Sequence, residues 1–217
     1  MIPVLDEATR IGALVASLRR DGVEVVVVDG GSHDATPTLA REAGAFVVDS
    51  ERGRAHQLHC GSQHANGDWI VFLHADTRLP EGWLEAIGRA AADPACAGGA
   101  FALGFEEREF FFRWIEFWVA VRNAILRLPY GDQAIFVRRT VLEAMGGVPR
   151  VPILEDLDLV RGIRARGGLR LLSLPVTTSG RRYLRGGRLR TVLLHQWALF
   201  GWWLGWDRAR LAERLRR

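Results

Sequence analysis

The sequence contains no lysine: each of its 29 basic residues is an arginine. Genome base composition accounts for such a bias, yet the absence has chemical force. A Schiff-base lysine, a lysine nucleophile and the phosphate-gripping lysine of a Walker-type loop are all excluded. Cysteine is almost as scarce. Cys60 and Cys96 are too few for a disulfide framework and lack metal-ligand spacing, which points to a reducing compartment. No basic-then-apolar segment opens the chain, and no uncharged apolar run is long enough to span a bilayer. The expectation is a cytoplasmic protein, peripheral at most on the inner face of the cell membrane. Internal repeats and low-complexity linkers are missing as well. What remains is 217 residues, 48% hydrophobic and 25% charged, with a net charge of +4. That is enough for one domain with a sizeable core, or one domain plus a terminal extension, and it is not the composition of a disordered chain.

Short β-branched runs alternate with helix-period segments. Residues 2–5, 23–28, 46–48 and 69–73 read as strands, and 8–20, 37–43, 55–65 and 82–92 as the helices between and after them. Thr36-Pro37 has the form of a helix start, a capping hydroxyl followed by proline in the first turn. Strand–helix alternation with short connections implies a parallel sheet covered on both faces. The first strand should be central, although almost nothing precedes it; the natural strand is expected to begin upstream of Met1. Beyond residue 100 the alternation loosens. Residues 109–128 form an aromatic-rich helical stretch, 135–137 a short strand and 154–166 a helix. Residues 191–217 read as one long terminal helix, apolar first and then basic. The division expected is a domain over 1–183 and an amphipathic helical extension over 184–217.

Ligands of open α/β sheets bind beyond the carboxyl ends of the strands, so the residues just after each strand carry the chemistry. Pro3-Val4-Leu5-Asp6-Glu7 closes the first strand and Asp29-Gly30-Gly31-Ser32-His33-Asp34-Ala35-Thr36 the second. The glycines let the chain turn sharply and bring N–H groups close to a ligand. Asp29 either accepts a hydrogen bond from a nucleobase imide or ribose hydroxyl, or caps a turn. His74-Ala75-Asp76-Thr77 follows the next apolar strand. A carboxylate there either holds a divalent cation bridging diphosphate oxygens, since magnesium and manganese prefer oxygen ligands, or caps a helix. Glu155-Asp156 opens an amphipathic helix, where acids suit the dipole; the alternative makes one of the pair a general base. Gly131-Asp132-Gln133 precedes a strand and can line the same cleft. Arg181-Arg182-Tyr183 either contacts a diphosphate or lipid phosphate or is solvated surface.

In this order, P-x-x-D-E, D-G-G-S-x-D-x-T, a strand ending in H-A-D-T, G-D-Q and E-D resemble the family 2 glycosyltransferases of the GT-A fold, over nearly all of residues 1–183. L-H-A-D-T, G-D-Q-A-I-F-V and T-T-S-x-R-R resemble a bacterial subgroup of it, some members of which glucosylate a carotenoid carboxylate. The resemblance implies a single open, mostly parallel α/β sheet of the GT-A type with helices on both faces. It also implies an inverting, metal-dependent hexosyltransferase that uses a nucleotide-sugar, usually a UDP-sugar, and a manganese or magnesium ion. By the same resemblance Pro3, Glu7 and Asp29 hold the base and ribose, and Arg52 and Arg54 approach the nucleotide or its phosphates. Asp76 matches the last acid of the D-x-D metal motif, while His74 stands where its first acid belongs. Asp156 matches the catalytic base with Glu155 as its hydrogen-bonding neighbour, and Gly131, Asp132 and Gln133 shape the acceptor side. Two other readings compete. A sugar-phosphate nucleotidyltransferase shares the sheet type but usually needs a glycine-rich basic loop at the N-terminus and a lysine near the phosphates, both missing. A catalytically inactive GT-A-like protein that binds a membrane surface would explain His74. Nucleic acid is not an expected partner, because acids line the cleft and the arginines are dispersed.

Two aromatic stretches, residues 110–122 and 197–206, remain. The second is flanked by Arg185, Arg188 and Arg190 before it and Arg208, Arg210, Arg214, Arg216 and Arg217 after it. Tryptophan and arginine favour the bilayer interface, which suits a lipid or carotenoid acceptor; packing on the sheet or against a second copy in a homodimer is the alternative. His56, His59, His64 and His195 read as surface or packing residues.

Overall fold

Three apolar runs, β1 (Ile2–Val4), β2 (Val26–Asp29) and β3 (Phe46–Asp49), pair in parallel in the order β1-β2-β3 in a computed structural model that describes residues 1–216. The crossovers are helices, α1 (Ala8–Leu18) and α2 (Thr36–Glu42), and α3 (Arg54–His64) leads onward to β4 (Trp69–Val71). The other edge of β1 meets the chain around β4. The Met1 amino group donates to the Val71 carbonyl at 2.8 Å, and the Leu73 N–H to the Met1 carbonyl at 3.0 Å. β1 is thus central, as its unbroken apolar run requires.

The second half of the sheet runs β4-β7-β6-β8-β5, with β5 (Thr77–Arg78), β6 (Cys96–Phe105), β7 (Phe136–Arg138) and β8 (Gly168–Thr178). Here β6 and β8 are parallel, whereas β7 opposes both of its neighbours and β5 opposes β8. The long β6 and β8 are absent from the sequence expectation. β6 is built of small residues, because its neighbours come very close: a Cβ on Gly99 would lie 2.1 Å from the Arg170 carbonyl oxygen. That close approach selects glycine over the β-branched residues that usually mark a strand.

Helices cover both faces, as expected. One core gathers Ile11, Leu14 and Val15 of α1 with Trp83 and Ile87 of α4 (Trp83–Ala91) and Phe112 and Ile115 of α5 (Phe110–Leu126). The other gathers Leu58 of α3, Leu142 of α6 (Arg139–Ala144) and Leu157, Val160 and Ile163 of α7 (Glu155–Arg164). Strand residues alternate between the two: Phe136 faces the first core, Ile135 and Val137 the second.

The C-terminal segment corrects the expectation of one helix over 191–217. It forms α8 (Arg181–Gly186), α9 (Arg188–Trp203) and α10 (Arg208–Arg216); the 183/184 boundary falls inside α8. Gly205 takes φ +71°, which glycine adopts without strain. Asp207 then restarts the helix by accepting the Arg210 N–H at 2.8 Å. α10 folds back so that Leu211 is buried. The pair docks on α7: the Trp202 indole N–H donates to Asp158 Oδ1 at 2.9 Å, and Arg208 donates to Asp158 Oδ2 at 3.0 Å and to the Ile153 carbonyl at 3.1 Å. Of the flanking arginines, Arg217 and the Arg216 side chain lie outside the described residues. No helix among the described residues is long and apolar enough to cross a membrane.

Candidate active site

The first two strand-end motifs are stitched to each other. Asp6 N–H donates to Ser32 Oγ at 2.9 Å, Glu7 N–H to Thr36 Oγ1 at 2.8 Å and Ala8 N–H to Asp34 Oδ2 at 3.2 Å, while His33 N–H donates back to Asp6 Oδ1 at 2.7 Å. Thr36 therefore ties two loops together instead of capping α2, although Pro37 does occupy the first turn. Asp29, buried at the end of β2, accepts the N–H groups of Gly31 and Ser32 at 3.1 and 3.0 Å. Its other oxygen, Oδ1, accepts the Ser32 hydroxyl, so the carboxylate is already engaged in shaping the D-G-G-S turn. Gln57 of α3 splices the ends of β1 and β2, its Nε2 donating to the Val4 and Val28 carbonyls at 2.8 Å each. Pro3 lies in β1, half-buried. Asp6 takes φ +54°, an uncommon conformation for a residue with a side chain.

The later motifs converge on Gly131. Its N–H donates to Asp156 Oδ2 at 2.7 Å, and Asp156 Oδ1 accepts the Leu157 N–H at 2.9 Å. Arg54, at the start of α3, pairs through Nε with Glu155 and places Nη2 3.5 Å from Asp156 Oδ2. A Cβ on Gly131 would lie 3.0 Å from Arg54 Nη2, 3.1 Å from Asp156 Oδ2 and 3.1 Å from His74 Nε2. Carboxylate, guanidinium and imidazole thus meet around a position where an added side chain would press on all three at once. Leu154 and Ala134, flanking the E-D and G-D-Q segments, take φ +60° and +46°; such backbone conformations cost energy and gather at functional sites.

Charge in this region is set by burial. His74 is held well below the usual histidine range by desolvation and by the Arg54 and Arg182 guanidiniums, so its imidazole is neutral. Asp132 is pushed up to about 6, burial first, with Arg122, Arg54 and Arg182 pulling down and Asp156 pushing up. Its Oδ1 and the Tyr130 hydroxyl are buried without a hydrogen-bond partner among the described residues. Arg122 of α5 stacks on the Tyr130 ring at 3.5 Å and donates to Gln133 Oε1 at 3.0 Å. Gln133 is wholly buried and also donates to the Phe101 carbonyl at 2.8 Å; it fixes the loop from beneath and does not reach the cleft. His195 of α9, expected at the surface or in packing, packs edge-on against Tyr183 with ring centroids 5.8 Å apart and so lies beside this group. Its pKa is lowered to about 4 by burial and by Arg182 and Arg122, with Asp156 acting the other way, and it sits 3.5 Å from the Tyr183 hydroxyl.

Beside these residues an open cleft of about 760 Å³ runs between the β1–α1 loop and α8, lined by Asp6 and Glu7 and by Arg10, Arg181, Arg182 and Arg185. Arg181 bridges two strand ends, with Nη1 3.2 Å from Glu7 Oε2 and Nε 3.1 Å from Asp76 Oδ2. Asp76 is thus already neutralised by a guanidinium. His74, where a second acid would stand, is flanked by two more. No group of three His, Cys, Asp or Glu side chains converges among the described residues. At a diphosphate, magnesium or manganese needs only one or two protein carboxylates, with phosphate and water supplying the other oxygens; here the Asp76 carboxylate that could serve is taken by Arg181, and as arranged the residues around Asp76 do not fit such an ion.

The structure brings Glu7, Arg54, Asp76, Gly131, Asp132, Glu155, Asp156, Arg181 and Arg182 to one end of the sheet. Arg52 is exposed with no recorded contact to them. Gln57, Arg122, Tyr130 and His195 went unrecognised in the sequence. Gln57 and Arg122 sit within helical patterns that give no hint of a partner more than a turn away, and His195 lies in an aromatic stripe.

The glycosyl transferase family 2 model matches residues 1–143. The chain is 36% identical over 97 residues to the 4,4'-diaponeurosporenoate glycosyltransferase of Staphylococcus aureus, which covers 40% of this chain and 26% of that protein. It is 37% identical over 89 residues to a TPR repeat-containing protein of Synechococcus elongatus, 38% of this chain and 21% of that one. The chain therefore spans about a quarter of the length of these relatives. Among solved structures it resembles S. aureus TarS in complex with UDP-GlcNAc, with a TM-score of 0.66 at 14% identity over 83% of this chain and 57% of that one. It also resembles the Mycobacterium tuberculosis glucosyl-3-phosphoglycerate synthase in complex with Mn2+ and UDP-glucose, with a TM-score of 0.59 at 19% identity over 80% and 67% of the two chains.

Proposed function

The chain belongs to glycosyl transferase family 2, and we propose that it is an inverting glycosyltransferase that moves a sugar from a nucleotide-sugar, a UDP-sugar, to a lipid-type or carotenoid-type acceptor at a membrane surface. The observation that carries this reading is the convergence of Asp156, Arg54 and His74 on Gly131 beside an arginine-lined cleft at the strand ends. The nucleotide lies over Pro3, Glu7 and Asp29, with its phosphates toward the arginines. The acceptor oxygen attacks the anomeric carbon as the bond to the diphosphate breaks on the opposite side. The proton of a hydroxyl acceptor passes to Asp156, whose oxygens each keep a lone pair beyond the backbone N–H they accept; such base catalysis contributes about 10²–10⁴-fold. With a carboxylate acceptor there is no proton to take, and Asp156 orients it. Arg54 and Glu155 hold Asp156 in place.

The membrane setting rests on surface composition. Helix α5 carries two apolar stripes: Phe112 and Ile115 face the core, while Phe110, Trp114, Phe117 and Trp118 are exposed. Helix α9 likewise exposes Leu189, Leu193, Phe200 and Trp203, with Arg185, Arg188 and Arg190 at its start. Interfacial aromatics beside arginines suit an anionic bilayer. A specific observation, His74 in place of an acid, favours a second reading, a non-catalytic protein that binds donor at a membrane.

One experiment separates these. Wild-type protein and Asp156→Asn are incubated with UDP-, GDP- or dTDP-sugars and membrane extract, and labelled product is followed. Wild-type transfer that Asp156→Asn loses by about 10²-fold or more is expected for a hydroxyl acceptor. Full transfer by Asp156→Asn to a hydroxyl acceptor would refute the base, and donor binding without turnover by wild type would favour the second reading.

A further inference from the structure

The reaction just proposed places a growing negative charge on the departing diphosphate, and the residues around Asp76 leave no carboxylate free for a divalent ion that would meet it. They do assemble a guanidinium. Arg181, the first residue of α8, spans the carboxylates of Glu7 and Asp76, which hang from the ends of two different strands. It occupies the space between them that a cation bound to Asp76 would need. A guanidinium and a divalent ion cannot share this half-buried carboxylate pair without strong mutual repulsion. The surroundings reinforce the point: Arg10, Arg182 and Arg185 line the same open cleft, and His74 is held neutral beside Arg54 and Arg182.

We infer that Arg181 is the cation that receives the leaving diphosphate, and that this protein binds and transfers from its nucleotide-sugar without a divalent metal. This rests on the nucleotide-sugar reading. In the ligand-free state Arg181 is parked on Glu7 and Asp76. When donor arrives it exchanges one or both carboxylates for phosphate oxygens, which its planar fork matches in pairs. During transfer the bond between the anomeric carbon and the diphosphate oxygen breaks, and its electron pair goes to that oxygen. The guanidinium meets the charge and gives up no proton, since arginine stays protonated throughout the working pH range. Asp76 becomes a positioning residue that sets the guanidinium at the correct depth.

The test is UDP binding to the full chain by titration calorimetry, in EDTA and in excess manganese, for wild type, Arg181→Ala and Arg181→Lys, with melting curves as a check on folding. Wild type should bind UDP equally well in both buffers. Arg181→Ala should lose about tenfold or more in EDTA, since a bidentate charged contact is lost. Manganese should restore much of that loss, because Glu7 and Asp76 are then free. Arg181→Lys, which keeps the charge but not the fork, should fall between the two in EDTA. Wild-type binding about tenfold tighter in manganese than in EDTA would overturn the proposal while leaving the nucleotide-sugar reading intact. So would wild-type affinity of Arg181→Ala in EDTA. Absence of UDP binding by wild type in either buffer, with GDP and dTDP also silent, would overturn the nucleotide-sugar reading and this inference with it.

Discussion

On one side of the cleft, where β1 and β2 end, every carboxylate has a protein partner: Asp6, Asp29 and Asp34 accept backbone N–H groups, and Glu7 and Asp76 share Arg181. On the other side, around Tyr130 and Asp132, two buried polar atoms have none among the described residues. The first side is complete without ligand, so a donor must compete with internal bonds by exchange. The second holds desolvated groups that a ligand would satisfy, and an unpaired buried polar atom costs about 1–3 kcal/mol. On the proposed reading the difference matches the two substrates: a donor of fixed chemistry would be met by a preformed loop pair, whereas the acceptor side would keep its hydrogen-bonding capacity unspent until the acceptor arrives.

The contrast breaks most sharply at Gly131, where the two sides meet. A methyl group there would push on Arg54, Asp156 and His74 at once, each already 3.0–3.1 Å away. Gly131→Ala should lower kcat for transfer by a factor of about a hundred, because small displacements of a reacting geometry are costly. UDP affinity should change little, since the β1 and β2 loops do not touch the added group. Calorimetry beside a transfer assay checks both halves, and a loss of UDP binding equal to the loss of rate would dissolve the division.

How much of this was legible in the sequence follows the same division. The β1–α1 and β2–α2 turns are written in contiguous motifs, and their residues partner one another across a single parallel strand pair, so order along the chain nearly reproduces order in space. Asp76, Glu155 and Asp156 were legible for the same reason, each closing a strand or opening a helix. The side around Tyr130 and Asp132, the proposed acceptor side, is made by residues far apart in sequence, Arg122 on α5, Tyr130 in a loop and His195 on α9, whose meeting depends on tertiary packing that no local period records. β6 was hidden because close backbone approach demanded glycine where a strand signal would be β-branched. The terminal segment reads as one helix because its apolar-then-basic sequence suits a single amphipathic element; the break comes at Gly205, with φ +71°, followed by the capping acid Asp207.

A smaller effect should follow at Asp132. Burial raises its folded value to about 6, above the unfolded value of about 3.9, so the folded chain binds this proton more tightly. The associated stability is complete below the unfolded value and is lost as pH rises through about 6. At pH about 7.5, Asp132→Asn should therefore stabilise the fold by on the order of 2 kcal/mol, and at pH about 4 by little or nothing. Transfer should fall even as stability rises, the pattern of a group kept for function at a cost in stability. Urea unfolding at the two pH values is the measurement. A gain of equal size at both would show that Asp132 is not a buried, strained carboxyl, and the acceptor side would lose its main distinction.

The smallest effect on the fold concerns the exposed aromatics. Phe117 and Trp118 are 60% and 51% exposed and Trp203 is 75% exposed, so water already reaches most of each ring. Substituting serine at all three should shift stability by only about 0.5 kcal/mol per site, as for surface positions generally. UDP binding should stay unchanged, because none of the three lies among the residues placed around the cleft. Membrane affinity in flotation with anionic liposomes should nevertheless drop by well over tenfold, since each buried aromatic ring contributes about 1.5–3 kcal/mol on leaving water. Light scattering on the same samples decides the alternative: a wild-type dimer that becomes monomeric on substitution, with flotation unaffected, would mean that a second copy covers these stripes. In that case the acceptor side would open onto a protein interface, and a membrane-borne acceptor would have to reach Asp132 and Asp156 by another path.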